Sequence, residues 1–298
     1  MAAIIIDGKA VGAKVRNDVR ERADRLKERG IKPCLAVILV GDNPASLTYV
    51  RGKQKALVEA GMDGRDIRLP GTASEEEILS LIASLNSDAS VHGILIQLPL
   101  PVSIREEKII NAIDPHKDVD CFHPVSLGKM LQGQYGIKPC TPQGIVALLS
   151  EYGIHVSGSH AVVVGRSNIV GKPLAMLLAM RELNATVTLC HTGTGNLASI
   201  TRQADILIAA VGHPGLVRGD MIKKGAAVID VGINRIPDPL GTTVSGAKRG
   251  YYLRGDVDFD EAKEIAGWIT PVPGGVGPMT IAMLMRNVVE AAERVRDR

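Results

Sequence analysis

Tyr49 and Lys53 lie four residues apart, with Ser46 three before the tyrosine, in a segment that opens at Asn43 and Pro44 directly after the apolar run 37–40. Steps of three and four put these side chains on one face of a helix. Asn43 suits the N-cap and Pro44 the first helical position. A hydroxyl one turn from an amine, at the carboxyl end of a parallel strand, is an arrangement for proton transfer. Taken by itself, the spacing is better read as a solvated helix face. Gln97 sits in the otherwise apolar run 93–98, just before Pro99 and Pro101. A buried amide there needs partners, either at the mouth of a cleft or in the loop backbone.

Asp114, His116, Asp118 and Asp120 have the look of a metal cluster. No register, however, supplies the sixth-position Gly and twelfth-position Glu of a calcium loop, and no metal is expected. One carboxylate of this run can instead accept two N–H bonds from an aminopyrimidinone-type ring.

Residues 160–164 read as a buried strand, 165–168 as a tight loop, and Gly171, Lys172 and Pro173 as a helix start. Such a turn aims backbone N–H groups and the positive end of a helix at one point, which suits a pyrophosphate. The loop is neither G-x-G-x-x-G nor a Walker loop. Arg166 and Ser167 follow Gly165, five residues separate Gly165 from Gly171, and Pro173 follows Lys172. Residues 271–278, PVPGGVGP, combine stiffness with close backbone approach ahead of a helix. A ligand wall explains that combination better than a linker.

The elements that must hold these groups follow from the rest of the chain. Its 298 residues suffice for two domains. A hydrophobic content of 45% and a charged content of 22% place it among soluble globular proteins, and a net charge of +3 gives no reason to expect nucleic acid or an anionic membrane. Cys34, Cys121, Cys140 and Cys190 are scattered without a C-x-x-C pair, so neither a disulfide framework nor a zinc knuckle is expected. No leader and no membrane-spanning run is read, which points to the cytoplasm.

Strand-like runs at 4–6, 35–40, 93–98, 160–164, 185–190, 206–211 and 226–231 alternate with helical segments, the pattern of parallel sheets covered on both faces. A helix with Val11, Val15, Val19 and Leu26 on one face stops at Gly30 and Pro33. Ser74 with Glu77, and Ser103 with Glu106, have capping-box spacing. A boundary falls near Cys140. The last helix, from Met279 to about Arg296, carries Ile281, Leu284, Val288 and Val289 and is expected to pack back on the first domain.

The segments Tyr49-Val50-Arg51-Gly52-Lys53, Gln97-Leu98-Pro99-Leu100-Pro101, Lys117-Asp118-Val119-Asp120, Pro139-Cys140-Thr141-Pro142, GRSNIVGKP at 165–173 and the loop 271–280 resemble those of the bifunctional methylenetetrahydrofolate dehydrogenase/cyclohydrolase (FolD) family, in the family's order and over nearly the whole chain. The resemblance implies an α/β fold of two domains. Residues 1–140 and 275–298 would form the catalytic, folate-binding domain and 141–274 a Rossmann-like NADP-binding domain. It implies oxidation of 5,10-methylenetetrahydrofolate to the methenyl cation with a nicotinamide cofactor, then hydrolysis to 10-formyltetrahydrofolate, in one interdomain cleft and in the service of one-carbon metabolism and purine synthesis.

By matching positions, the resemblance implies a catalytic set of Lys53, Gln97, Tyr49 and Asp120. Lys53 would be the main residue of the hydrolytic step, with Gln97 tuning it, Tyr49 placing the folate and Asp120 holding the pterin. Leu98, Pro99, Pro271, Gly274 and Gly275 would complete the folate site. Gly165, Arg166, Ser167, Thr192 and Ile233 would line the cofactor pocket, and a homodimer is implied. A lysine acting as base must be partly buried to lose its proton near neutrality. Whether Lys53 is base or hydrogen-bonding guide for water stays open. Cys190, His191 and Thr192 follow the second strand of the cofactor unit where an NAD enzyme carries an acid, which favours NADP with Arg166 toward its 2′-phosphate.

Two departures stand out. Cys121 occupies a usual glycine position, where it would crowd the pterin loop or add an oxidisable thiol. Residues 181–184 lengthen a helix end. Short-chain dehydrogenases also use Tyr-x-x-x-Lys, but after their cofactor loop, whereas Tyr49 and Lys53 precede it by more than a hundred residues. A non-catalytic folate or nucleotide sensor that closes on its ligand would need no reactive lysine. A monofunctional dehydrogenase is the nearer alternative.

Overall fold

The computed structural model describes residues 2–134, 136–238 and 250–294. The chain opens with β1 (Ile4–Ile5), α1 (Gly8–Glu28), β2 (Cys34–Val40), α2 (Pro44–Glu59), β3 (Asp63–Leu69), α3 (Glu75–Ser87) and β4 (Gly93–Ile96). Next come α4 (Glu106–Ala112), α5 (Pro124–Leu131), α6 (Cys140–Glu151), β5 (His160–Val164), α7 (Gly171–Ala179), β6 (Thr186–Cys190), α8 (Leu197–Thr201) and β7 (Ile206–Ala209). A short 3-10 turn, β8 (Ala227–Asp230), β9 (Asn234–Pro237), β10 (Tyr251–Arg254), α9 (Phe259–Ala262), β11 (Trp268–Ile269) and α10 (Val276–Arg294) complete it.

Two compact units result, Gly12–Cys140 with Ile281–Arg298, and Met1–Val11 with Thr141–Thr280. In the first, β2 lies between β3 and β4 in a parallel sheet. Every residue of β2 and β4 is buried, as a strand covered on both faces requires, while β3 alternates as an edge strand. Ile38, Ile78, Ile82, Ile94 and Ile109 close one face. From Ile281 on, helix α10 belongs to this unit, tied to it by the Arg22–Glu293 ion pair and by Asn287.

In the second unit the strand order is β1-β11-β8-β7-β5-β6, all parallel. From β5 the chain goes first to β6 on one side, then to β7 on the other. The end of β5 is therefore a topological switch point, the usual ligand crevice of such sheets. A separate antiparallel pair, β9 and β10, extends from this unit.

Some boundaries and caps differ from the sequence reading. The opening residues pair with the second unit, β1 against β11, because two residues are too few to form a sheet edge unless a register is offered nearby. The Ser74 capping box is present, but Ser103 caps nothing: α4 starts after Arg105, and residues 101–104 form a turn closed by Ile104 N–H to Pro101 O. Glu75 takes over, accepting from the Arg105 N–H and guanidinium. Strand β4 ends at Ile96, two residues early. Helix α10 starts at Val276, since Pro278 in the first turn lacks an N–H that would be unpaired anyway. Its expected end near Arg296 lies outside the described residues.

The ends of β8 and β10 are locked by two carboxylates. Asp230 Oδ1 accepts the Gly232 and Asp256 N–H groups and Oδ2 accepts that of Val257. Asp256 accepts from Val211 and Gly212 N–H and from Asn234 Nδ2. A Cβ on Gly255 would overlap Asp230, so glycine is required there. Burial pushes the Asp230 carboxyl up to about 6, against the pull of its three N–H donors. At pH 8, where it is ionised, Asp230→Asn turns one acceptor into a donor facing an N–H. It is expected to cost about 2–4 kcal/mol in chemical denaturation. An unchanged midpoint would show that the lock contributes nothing to stability.

Candidate functional site

Helix α2 rises from the carboxyl end of β2, with Asn43 Oδ1 accepting the Ser46 N–H as the expected cap. At the end of β4 the Gln97 N–H still donates to Ile38 O, which fixes the point where the glutamine side chain leaves the sheet. There Lys53 Nζ donates to Gln97 Oε1 at 3.0 Å, and Gln97 Nε2 donates to Leu98 O at 2.9 Å. The amide is thus held with its oxygen toward the lysine. The Leu98–Pro99 peptide is cis. Burial lowers the Lys53 pKa below the ordinary lysine value, while Asp120 and Cys140 oppose that shift. Tyr49 stands 43% exposed and shares no hydrogen bond with Lys53, as the solvated-face reading of the spacing has it, and the partner of Lys53 is Gln97.

The acidic run separates into roles. Asp114 accepts the His116 N–H, and Asp118 accepts the Phe122 and His123 N–H groups, so both shape the loop. Asp120 is not used in this way. Its Oδ1 meets Cys140 Sγ at 3.5 Å, and with Leu98 and Phe122 it lines one narrow recess. Burial raises the Asp120 pKa, and Lys53 opposes the rise. A carboxylate half out of water with acceptor capacity to spare is suited to a ligand's N–H groups.

Cys121 lies at φ 58°, in the left-handed region where glycine fits without strain. Its thiol is fully buried, and burial with Asp118 and Asp120 pushes it well above the usual thiol range. It is therefore a poor thiolate. Residues 181–184 make only a helix-terminating turn, with Asn184 at φ 57°.

Gly165, Arg166, Ser167 and Thr192 come together because β5 and β6 are neighbours, with Val164 opposite Cys190 and Gly165 N–H donating to Cys190 O. Gly165 has φ +119°, and a Cβ there would overlap Ala210 O at the end of β7. Ser167 Oγ accepts the Val170 and Gly171 N–H groups. Among the described residues, the N–H groups of Arg166, Ser167, Asn168 and Ile169 donate to no protein acceptor, and the Arg166 guanidinium has no partner. Free N–H groups at a helix start with an unpaired guanidinium beside them fit a dinucleotide carrying a further phosphate.

Ile233 follows β8, which β7 separates from β5 in the sheet. It faces the other predicted wall: Lys9, Asp230, Gly232, Ile233 and Leu253 line a cavity of about 150 Å³ with residues 271–278, Pro271, Gly274 and Gly275 included. Sequence reasoning missed Lys9, which the first turn of α1 brings there, and Asn287. The available signal for Asn287 was an amide three residues after Leu284 and one before Val288, on an otherwise apolar stripe.

No helix among the described residues is long and apolar enough to cross a membrane. Residues 6–120 match the model of the tetrahydrofolate dehydrogenase/cyclohydrolase catalytic domain, and residues 139–296 that of its NAD(P)-binding domain. The bifunctional protein FolD of Moorella thermoacetica is 56% identical over 294 residues, 99% of this chain and 100% of its own. The bifunctional FolD of Campylobacter jejuni superposes with a TM-score of 0.92 at 47% identity, covering 99% of this chain and 100% of its own. The Trypanosoma brucei methylenetetrahydrofolate dehydrogenase-cyclohydrolase, complexed with NADP and an inhibitor, does so with a TM-score of 0.93 at 40% identity, covering all of both chains. Matched in both domains and along its whole length, the chain belongs to the tetrahydrofolate dehydrogenase/cyclohydrolase family.

Proposed function

We propose that Lys53 is the residue that acts on water in the hydrolytic half of a two-step reaction, with Gln97, Tyr49 and Asp120 as its partners around the folate. The protein oxidises 5,10-methylenetetrahydrofolate to the methenyl form with NADP and hydrolyses that to 10-formyltetrahydrofolate. Relatives matched over their full length are named as bifunctional proteins, which favours this over the dehydrogenase alone and over the sensor. The single observation that carries the assignment is the Lys53 Nζ to Gln97 Oε1 bond, made by a partly buried amine whose pKa is lowered.

A neutral amine is the form that can take a proton from water, and it does not repel the methenyl cation as an ammonium would. Gln97 Oε1 orients the amine. Asp120 would hold the pterin through paired N–H bonds, with Leu98 and Pro99 beside it, and Tyr49 would position the folate. When bound, NADP supplies the hydride acceptor. For that step the chain has only to orient, since no acid or base is needed. We assign the folate chemistry to the unit of Gly12–Cys140 and the cofactor to that of Thr141–Thr280, with Gly165, Arg166, Ser167, Thr192 and Ile233 as its contacts. The reading includes a cytoplasmic homodimer, checked by light scattering at about twice the chain mass.

The deciding assay follows methylenetetrahydrofolate with NADP and with NAD. Cofactor reduction without methenyl build-up supports both activities, and build-up decaying only at the spontaneous rate would leave a dehydrogenase. Because Arg166 has no partner among the described residues and no acid follows β6, Arg166→Ala is expected to weaken NADP by about 10- to 100-fold and NAD far less, by calorimetric titration. An unchanged preference would remove Arg166 from the 2′-phosphate.

A further inference from the structure

We infer that Asn287, in the middle of the C-terminal helix α10, is a positioning residue for Asp120. The amide is fully buried. Its Nδ2 donates to Val119 O at 2.8 Å and to Lys138 O at 2.9 Å, and touches Cys140 Sγ at 3.4 Å. Val119 immediately precedes Asp120. Lys138 lies two residues before Cys140, whose Sγ meets Asp120 Oδ1. One side chain therefore clamps, from 168 and 149 residues away in sequence, the two backbone segments that flank the Asp120 carboxylate.

The orientation of the amide is not arbitrary. Both near neighbours are carbonyl oxygens, so only the nitrogen can face them. The oxygen end then accepts nothing, and Oδ1 is buried without a partner among the described residues. A buried acceptor left unpaired is unfavourable, and an apolar side chain at this place on α10 would avoid it. What the asparagine does uniquely is hold two carbonyls at one distance from each other. Cys121 adds a reason for the clamp. Its left-handed backbone, next to Asp120, is a conformation that a side-chain-bearing residue leaves readily unless its surroundings hold it. Asn287 fixes the carbonyl on the other side of Asp120, so the carboxylate is held between a strained residue and a pinned one.

This inference rests on the reading of Asp120 as a folate-binding group. A double-mutant cycle on the full-length protein separates the two. Asn287→Leu, Asp120→Asn and their combination are assayed for the KM of methylenetetrahydrofolate, with NADP affinity and melting temperature measured on each. Asn287→Leu is expected to raise the folate KM about tenfold with NADP affinity unchanged, and to add nothing in the Asp120→Asn background. Where Asn287→Leu gives no folded protein, Asn287→Ser is read in the same cycle. It keeps one donor for the two carbonyls and is expected to give a smaller rise with the same lack of additivity. A folded variant with wild-type KM, or effects that multiply in the combination, would overturn the positioning role. If Asp120→Asn itself leaves KM unchanged, the assignment of Asp120 fails, and the inference fails with it.

Discussion

Lys53→Met is expected to bring methenyltetrahydrofolate hydrolysis down to its spontaneous rate, a loss of about 100- to 10,000-fold, while NADP binds as before. Methionine keeps nearly the length and volume of the lysine but has no amine, so Gln97 Oε1 loses its donor and water loses the group that would act on it. The variant should accumulate the methenyl product during cofactor reduction, seen directly in its absorbance. NADP affinity serves as the control, since the loop at Gly165 shares no hydrogen bond with Lys53. Equal loss of hydrolysis and of NADP affinity would contradict the separation of roles. The pH dependence of the wild type distinguishes the two parts Lys53 can play. Burial lowers its pKa, so a base would show hydrolysis rising with pH to a plateau below the ordinary lysine range. A flat profile would assign Lys53 to guiding water by hydrogen bonding.

The second large effect is expected from Gly165→Ala. This residue sits at the switch point of the six-stranded sheet, at φ +119°, with the space of a Cβ already taken by Ala210 O. Alanine must either adopt a strained backbone or push the loop away from β7, and in both cases the N–H groups of residues 166–169 lose their common aim. NADP affinity is expected to fall roughly 10- to 100-fold or more, since each 1.4 kcal/mol of strain is a factor of ten. Hydrolysis of methenyl substrate added without cofactor should remain. Wild-type NADP binding in Gly165→Ala would mean that the loop is not the dinucleotide site.

Several elements were legible in the residues themselves. Apolar runs without alternation marked β2, β4, β5, β7 and β8, because a strand buried on both faces has no polar side to show. Ser74 and Glu77 marked the start of α3 by reciprocal caps. Strand β3, with the sequence DGRDIRL, gave no such signal: it is an edge strand, and its register is supplied by β2. The run at 4–6 marked β1, but the two-residue strand β11 was invisible, since it has no pattern of its own and exists as a partner of β1 and β8. Ser103 was a false cap because the turn ahead of α4 displaced the helix start and Glu75 of α3 was close enough to replace it.

By themselves, the residues determined which chemical groups the protein has: an amine, an amide, a spare carboxylate and a glycine loop, in an order that names a family. Local spacing is enough for that, because caps, turns and helical faces depend on near neighbours. Only the tertiary structure showed the bond by which Gln97 holds Lys53, the two N–H groups that engage Asp118 in shaping a loop while Asp120 stays available, and the reach of Asn287 to Val119 and Lys138. The physical reason is that burial and hydrogen-bond partnership are properties of the packed chain. The same carboxylate is a backbone cap or a ligand group according to which N–H groups folding brings to it, and no spacing along the sequence records that choice.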